Sequence, residues 1–148
     1  MADDQFARIM ANLLPRPFAQ DNKVTPLRNG DQIFPSMLHA IRSAQRTIAF
    51  ETFIYWAGKI GQEFADAVAE RSRVGIKVHA LLDWFGSKEI DPQALQRMED
   101  VGVEVERYHK IHFVRLRSVN HRTHRKLLII DGSIGFTGRI ADQWTDDG

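Results

Sequence analysis

The hydrophobic positions of this chain first recur at a helical spacing and then alternate as they do in a strand. Asn29-Gly30-Asp31 predicts a turn and a helix cap, with Pro35 still inside the first turn of the helix that follows. The apolar residues of that helix are Ile33, Met37, Leu38, Ile41 and Ala44. Residues 46–55 predict a strand, with Ile48, Phe50, Thr52 and Ile54 on one face and Ala49, Glu51, Phe53 and Tyr55 on the other.

The next segments repeat this order of helix and strand. Residues 60–73 predict a second helix, which buries Ile60, Phe64, Ala67 and Val68. Gly75 opens a strand with the sequence IKVHALLD. Asp91 is suited to be the N-cap of a third helix, and proline follows it at the first helical position. Gly102 is a suitable C-terminal cap for the same helix.

The last third of the chain contains three further strand-like runs, VEVERY, HRKLLII and SIGFT. Asp131-Gly132 between the last two predicts a hairpin with a two-residue loop. The order of elements predicts an α/β fold, with a largely parallel mixed sheet that is flanked by helices and ends in one hairpin. We expect residues 1–23 to be a weakly ordered lead-in and residues 24–148 to be one domain. That domain is expected to be incomplete at its C-terminus, since residues 133–137 would leave an uncovered edge strand.

Composition and charge narrow the class of protein only slightly. The 148 residues are 43% hydrophobic and 26% charged with a net charge of +1, as in an ordinary globular domain. The absence of cysteine excludes disulfides, thiolate metal sites and a cysteine nucleophile. No signal peptide and no apolar run of about 20 residues occurs, so we expect a cytoplasmic or peripheral membrane protein.

Positive charge is concentrated in one stretch of the chain. No acidic residue lies between Glu106 and Asp131, and this interval contains seven lysines and arginines and four histidines. The basic residues are Arg107, Lys110, Arg115, Arg117, Arg122, Arg125 and Lys126. Such a field favours an anionic ligand such as a phosphate. The basic residues from Lys110 to Arg117 also fit a solvated loop.

The most informative pattern in this stretch is His124-x-Lys126, followed after four apolar residues by Asp131. On a strand His124 and Lys126 point to the same face, and Leu127 to Ile130 would anchor that strand in the core. An imidazole can attack phosphorus, while the ammonium holds the non-bridging oxygens. Asp131 lies at an odd spacing from His124, so we expect it to end the strand and to anchor it by charge or hydrogen bonding.

This motif, with Gly-Phe-Thr-Gly at 135–138, resembles the HxK(x)4D signature of the phospholipase D superfamily. The segments NGDQIFPSMLHAIRSAQRTIAFETFIYW, VHALLDWFGS and NHRTHRKLLIIDG extend the resemblance to bacterial cardiolipin synthases, from about residue 25 onwards. The resemblance implies phosphatidyl transfer or phospholipase D-type hydrolysis on phospholipids, by way of a phosphohistidine and without a metal or other cofactor.

The resemblance also implies the roles of individual residues. His124 would be the nucleophile or the acid, Lys126 the phosphate ligand and Asp131 the supporting acid. Asn120 and Glu51 match positions near the family's substrate site, although Glu51 also fits a strand-face carboxylate paired with a base. Only one motif is present, and the mechanism needs two histidines. We therefore expect a second half, in the same polypeptide or in a second subunit, and a membrane surface as partner.

Three other interpretations fit parts of the sequence. The first is a homodimeric phosphodiesterase or nuclease of the same superfamily, whose basic stretch binds the backbone of a nucleic acid. The second is an isolated half-domain without activity. The third is a zinc site formed by His109-x-x-His112 and His121-x-x-His124, which is disfavoured because strand residues three apart face opposite sides.

Overall fold

The computed structural model describes residues 22–52, 58–83, 90–108 and 126–138, together with three helical positions at 9, 12 and 13. Three helices and five strands follow one another in these ranges. They are α1 (Asn29–Ser43), β1 (Thr47–Thr52), α2 (Gly58–Arg73), β2 (Lys77–Asp83), α3 (Pro92–Asp100), β3 (Glu104–Tyr108), β4 (Leu127–Ile130) and β5 (Ile134–Thr137). Most of the expected lead-in, residues 1–23, lies outside the described residues, as do positions 53–55 of the first predicted strand.

Helix α1 begins earlier than its sequence predicts. Its N-cap is Arg28, whose backbone N–H donates to Oε1 of Gln32 at 2.8 Å. The prediction that Pro35 lies in the first turn is wrong, because it is the seventh residue of this helix. The helix accommodates the missing N–H of Pro35, and its apolar face still buries Met37, Leu38 and Ile41.

The ends of α3 agree with the sequence prediction. Oδ1 of Asp91 accepts the backbone N–H of Gln93 at 2.9 Å, and Pro92 occupies the first helical turn. Gly102 follows the C-cap with φ 88°, a left-handed conformation that glycine adopts without the steric penalty of a Cβ. Local sequence signals therefore determine where this helix begins and where it ends.

The five strands form one mixed sheet in the order β3-β2-β1-β4-β5. Strands β3, β2 and β1 are parallel, whereas β4 runs antiparallel to β1 and to β5. The predicted α/β sheet with flanking helices and a terminal hairpin is confirmed. Because β4 runs against β1, the start of β4 lies at the carboxyl-terminal edge of the parallel strands, where β3 also ends.

Within the described residues, one hydrophobic core lies between the helices and one face of the sheet. Its sheet residues include Ile48, Phe50, Val78, Leu82 and Leu128, all at most 7% exposed. Phe64 of α2 lies at its centre, with its ring centroid 6.2 Å from those of Phe34 and Phe50. Since side chains alternate along each strand, the residues between these core positions belong to the opposite face.

The β4–β5 turn differs from the predicted two-residue loop. Ile130 pairs with Ile134, so three residues connect the strands. Asp131 and Gly132 have φ values of 53° and 69°, and the backbone N–H of Ser133 donates to the carbonyl of Ile130 at 3.0 Å. The Asp-Gly pair makes the expected tight turn with two left-handed residues, and Ser133 is the additional residue in the loop.

Candidate active site

Lys126 lies at the carboxyl-terminal edge of the parallel strands, directly before β4. The last registered pair between β1 and β4 is Glu51 with Leu127, so Thr52 and Lys126 are the next residues across the two strands. The side chain of Lys126 is half-buried. In open α/β sheets this edge is where ligands bind, which is consistent with the predicted phosphate-binding role.

The alternation along β4 defines the face on which Lys126 lies. Leu128 and Ile130 are 0% and 1% exposed and belong to the core, whereas Leu127 is half-buried and Ile129 is 39% exposed. The prediction that all four residues anchor the strand in the core is therefore wrong for Leu127 and Ile129, which lie on the opposite face. Lys126, two positions before Leu128, belongs to the helix-covered face of the sheet.

Asp131 lies at the other end of β4. The four residues of β4 separate it from Lys126, and the five residue steps between them span about 16 Å along the backbone. Its carboxylate accepts the backbone N–H groups of Gln45, Arg46 and Thr47 at 2.9, 2.7 and 2.8 Å. Asp131 thus anchors the end of β4 to the start of β1 by hydrogen bonds, as its spacing in the sequence predicts.

The backbone of Asp131 makes two further hydrogen bonds, and the surrounding groups shift the pKa of its carboxyl. The backbone N–H of Asp131 donates to the carbonyl of Thr47 at 2.9 Å, and Nη2 of Arg46 donates to the carbonyl of Asp131 at 3.2 Å. The backbone N–H of Thr47, followed by that of Gln45, lowers the pKa of Asp131 below its ordinary value. Desolvation opposes this shift, while the N–H and the positive charge of Arg46 add to it. The group is therefore a carboxylate at neutral pH and accepts hydrogen bonds.

Glu51 lies near the same edge as Lys126 but on the opposite face of the sheet. It is half-buried, and its neighbours in register are Leu81 of β2 and Leu127 of β4. It lines a shallow groove of about 260 Å³ on that face, which also includes His79 and Glu104. Nδ1 of His79 and Oε2 of Glu104 form an exposed pair across β2 and β3 at 2.8 Å.

Sequence reasoning missed two polar residues at this edge. Thr52 ends β1 and is 2% exposed, and Asp83 ends β2 and is 4% exposed. Among the residues that the structure describes, these are the buried polar or charged side chains. Both lie at strand ends, beside the edge where a ligand is expected. Their burial marks them as candidate site residues, and the hydrophobic pattern of the sequence does not reveal that burial.

His124 and Asn120, and with them the geometry of the His124–Lys126 pair, lie outside the described residues. The same holds for the histidine pairs considered as a zinc site. Within the described ranges, no group of three or more potential ligands is placed to hold a metal. None of the helices described there is long and apolar enough to cross a membrane.

Comparison with known proteins adds to this geometry. Residues 37–140 match the family described as "Cardiolipin synthase, PLD-like domain". Cardiolipin synthase 1 of Bacillus cereus is 37% identical over 125 residues, which cover 84% of this chain and 25% of that protein. Cardiolipin synthase A of Pseudomonas fluorescens is 32% identical over 140 residues, which cover 93% of this chain and 29% of that protein.

The chain thus spans less than a third of the length of these relatives. Among solved structures, the archaeal chromatin protein TrmBL2 is similar with a TM-score of 0.50 and 16% identity. That similarity covers 86% of this chain and 42% of the other, and it concerns the fold alone.

Proposed function

Because this chain belongs to the family of cardiolipin synthase PLD-like domains, we propose that it supplies one half of a phosphatidyl-transferring active site. The observation that carries the proposal is the position of Lys126 at the carboxyl-terminal edge of the sheet, at the start of a strand anchored by Asp131. An ammonium held at this edge is suited to bind the non-bridging oxygens of a phosphodiester.

The reaction that we propose has two steps. A ring nitrogen of His124 attacks phosphorus and forms a phosphohistidine, while the bond from phosphorus to the leaving alcohol breaks. A second histidine gives its proton to that alcohol, and then accepts a proton from the incoming alcohol or water that cleaves the phosphohistidine. The second histidine comes from another copy of the motif, either in the same polypeptide or in a second subunit.

The remaining predicted residues have distinct positions in this proposal. Asp131 acts as a positioning residue, since its carboxylate contacts the backbone of residues 45–47 and lies about 16 Å from Lys126. We assign Asn120, four positions before His124, to the substrate. Glu51 approaches the edge from the opposite face, where a carboxylate is suited to headgroup hydroxyls rather than to phosphate oxygens.

The proposed partners follow from the substrate. A phospholipid is presented at a membrane surface, so we propose that the protein acts there as a peripheral protein. The interval between Glu106 and Asp131, which contains seven basic and no acidic residues, would favour an anionic surface.

The test compares variants of the full-length protein on vesicles that contain phosphatidylglycerol. His124→Ala should abolish turnover and the acid-labile, base-stable phosphohistidine adduct. Lys126→Ala should lower kcat by about 10²- to 10³-fold, the usual effect of removing one donor to a developing anion. His39→Ala, an exposed position on α1, is the matched control and should retain full activity.

The products separate the possible functions. Cardiolipin indicates transfer, and phosphatidic acid indicates hydrolysis. Full activity of His124→Ala, or cleavage of DNA with no action on lipid, would contradict the proposed function.

A further inference from the structure

Thr52 occupies an unusual position for a polar side chain. It is the last residue of β1 and is 2% exposed, on the same face of the strand as the core residues Ile48 and Phe50. A threonine hydroxyl can donate one hydrogen bond and also accept from other groups. Threonine here therefore places a polar group at the end of an otherwise apolar row of side chains.

The strand register places Lys126 beside Thr52. Glu51 pairs with Leu127 in the antiparallel ladder, so the next step of the same register brings Thr52 opposite Lys126. Residues directly opposite in such a ladder have Cβ atoms about 4.5–5.5 Å apart. Lys126 also shares the face of Thr52, because Leu128, two positions further on, is buried in the core.

We propose that Thr52 is a positioning residue for Lys126, with its hydroxyl oxygen accepting a hydrogen bond from the Lys126 ammonium. This inference rests on the proposed function, in which Lys126 binds the phosphate of the phospholipid. The ammonium has three donors, so one bond to Thr52 leaves two for the non-bridging oxygens. A lysine has a long flexible side chain, and a fixed acceptor beside it restricts the rotamers from which the phosphate can be reached.

The chemistry of threonine allows a matched pair of substitutions. Thr52→Val keeps the shape of the side chain and removes the hydroxyl, whereas Thr52→Ser keeps the hydroxyl and removes a methyl group. In the full-length protein, Thr52→Val should lower kcat by roughly 10- to 100-fold, the equivalent of one hydrogen bond to a charged group. KM should change little, and Thr52→Ser should restore kcat to within about threefold of the wild type.

Two further variants complete the experiment. Thr25→Val, at an exposed position before α1, is the control for a threonine-to-valine change outside the site. Lys126→Arg tests whether the effect passes through the lysine. If Thr52 acts by positioning the Lys126 ammonium, Thr52→Val should lower kcat clearly less in the Lys126→Arg background than it does in the wild type.

The outcomes distinguish this inference from the proposed function. A wild-type kcat for Thr52→Val would overturn the inference. A loss of kcat that Thr52→Ser does not restore, accompanied by a lower melting temperature in both variants, would also overturn it, because it would indicate a packing role. Full activity of Lys126→Arg and Lys126→Ala would instead refute the phosphate-binding role of Lys126, and with it that part of the proposed function.

Discussion

Thr47 and Asp131 exchange two hydrogen bonds although 84 positions separate them in the chain. The backbone N–H of Thr47 donates to Oδ1 of Asp131 at 2.8 Å, and the backbone N–H of Asp131 donates to the carbonyl of Thr47 at 2.9 Å. Together with the bonds from Gln45 and Arg46, they tie the end of β4 to the start of β1. The aspartate of the motif thus helps to hold the register that places Lys126 at the opposite edge.

Asp131→Asn should lower the stability of the protein at neutral pH and make that stability less dependent on pH. Asparagine tolerates the left-handed φ of 53°, so the turn is retained, but its single oxygen cannot replace a carboxylate that accepts three N–H groups. The folded pKa of Asp131 is lowered, so its stabilisation is fully present above the ordinary aspartate pKa of about 3.9. That stabilisation is lost as the pH falls through the folded pKa.

Thermal unfolding of the wild type and of Asp131→Asn between pH 7 and pH 3 measures this effect. The variant should melt at a lower temperature at neutral pH, and the difference should shrink towards the acid end. Asp100→Asn, an exposed position at the end of α3, is the control and should change little. A difference between Asp131→Asn and the wild type that stays constant with pH would contradict the assignment.

Leu128→Ala and Ile129→Ala should differ strongly, although the two residues are neighbours on β4. Leu128 is 0% exposed, and truncating a buried leucine costs about 2–5 kcal/mol of unfolding free energy. Ile129 is 39% exposed on the opposite face, so its truncation should cost clearly less. Urea denaturation of both variants checks the alternation of buried and exposed side chains along β4, which determines the face on which Lys126 lies. Equal losses would show that the register of β4 has been assigned incorrectly.

Asp83→Asn should lower both stability and activity. Asp83 is 4% exposed at the end of β2, and weakening the interactions of a buried polar side chain costs about 1–3 kcal/mol. Asp66→Asn, on the exposed side of α2, serves as the control and should stay within about 0.5 kcal/mol of the wild type. Denaturation and turnover are measured on the same samples. If Asp83→Asn changes neither the unfolding free energy nor kcat, this residue has no role at the edge of the sheet.

Gly132→Ala should be more harmful than Gly135→Ala for reasons of backbone conformation alone. A Cβ at either glycine would meet no atom within 4 Å, so steric crowding is the same in both. Gly132 has φ 69°, however, and a left-handed conformation costs alanine about 1–2 kcal/mol. Comparison of the two unfolding free energies tests this directly, and equal values would contradict a conformational requirement at the turn.

The elements with strong local signals could be predicted from the sequence. Helix α3 follows from Asp91, Pro92 and Gly102, because each of these residues acts on the backbone within one turn. The start of α1 was predicted too late, since the helix tolerates Pro35 at a position that its local preference disfavours.

The site was predictable only in part. The spacing of His124, Lys126 and Asp131 suggested the chemistry and the anchoring role of the aspartate. Its acceptance of N–H groups 84 to 86 positions earlier depends on how β1 and β4 pair, which no local pattern specifies. The same holds for Thr52, whose relation to Lys126 exists only in the sheet register.

The direction of β4 also has a consequence for engineering and for divergence among relatives. Tyr108 ends β3 and Lys126 precedes β4 at the same rim of the sheet, three strand spacings or about 14 Å apart. Changes of length or sequence confined to residues 109–119, before Asn120 and His124, should therefore leave both attachment points in place. We expect relatives to differ in substrate preference through these positions while β4 keeps the lysine at the same rim.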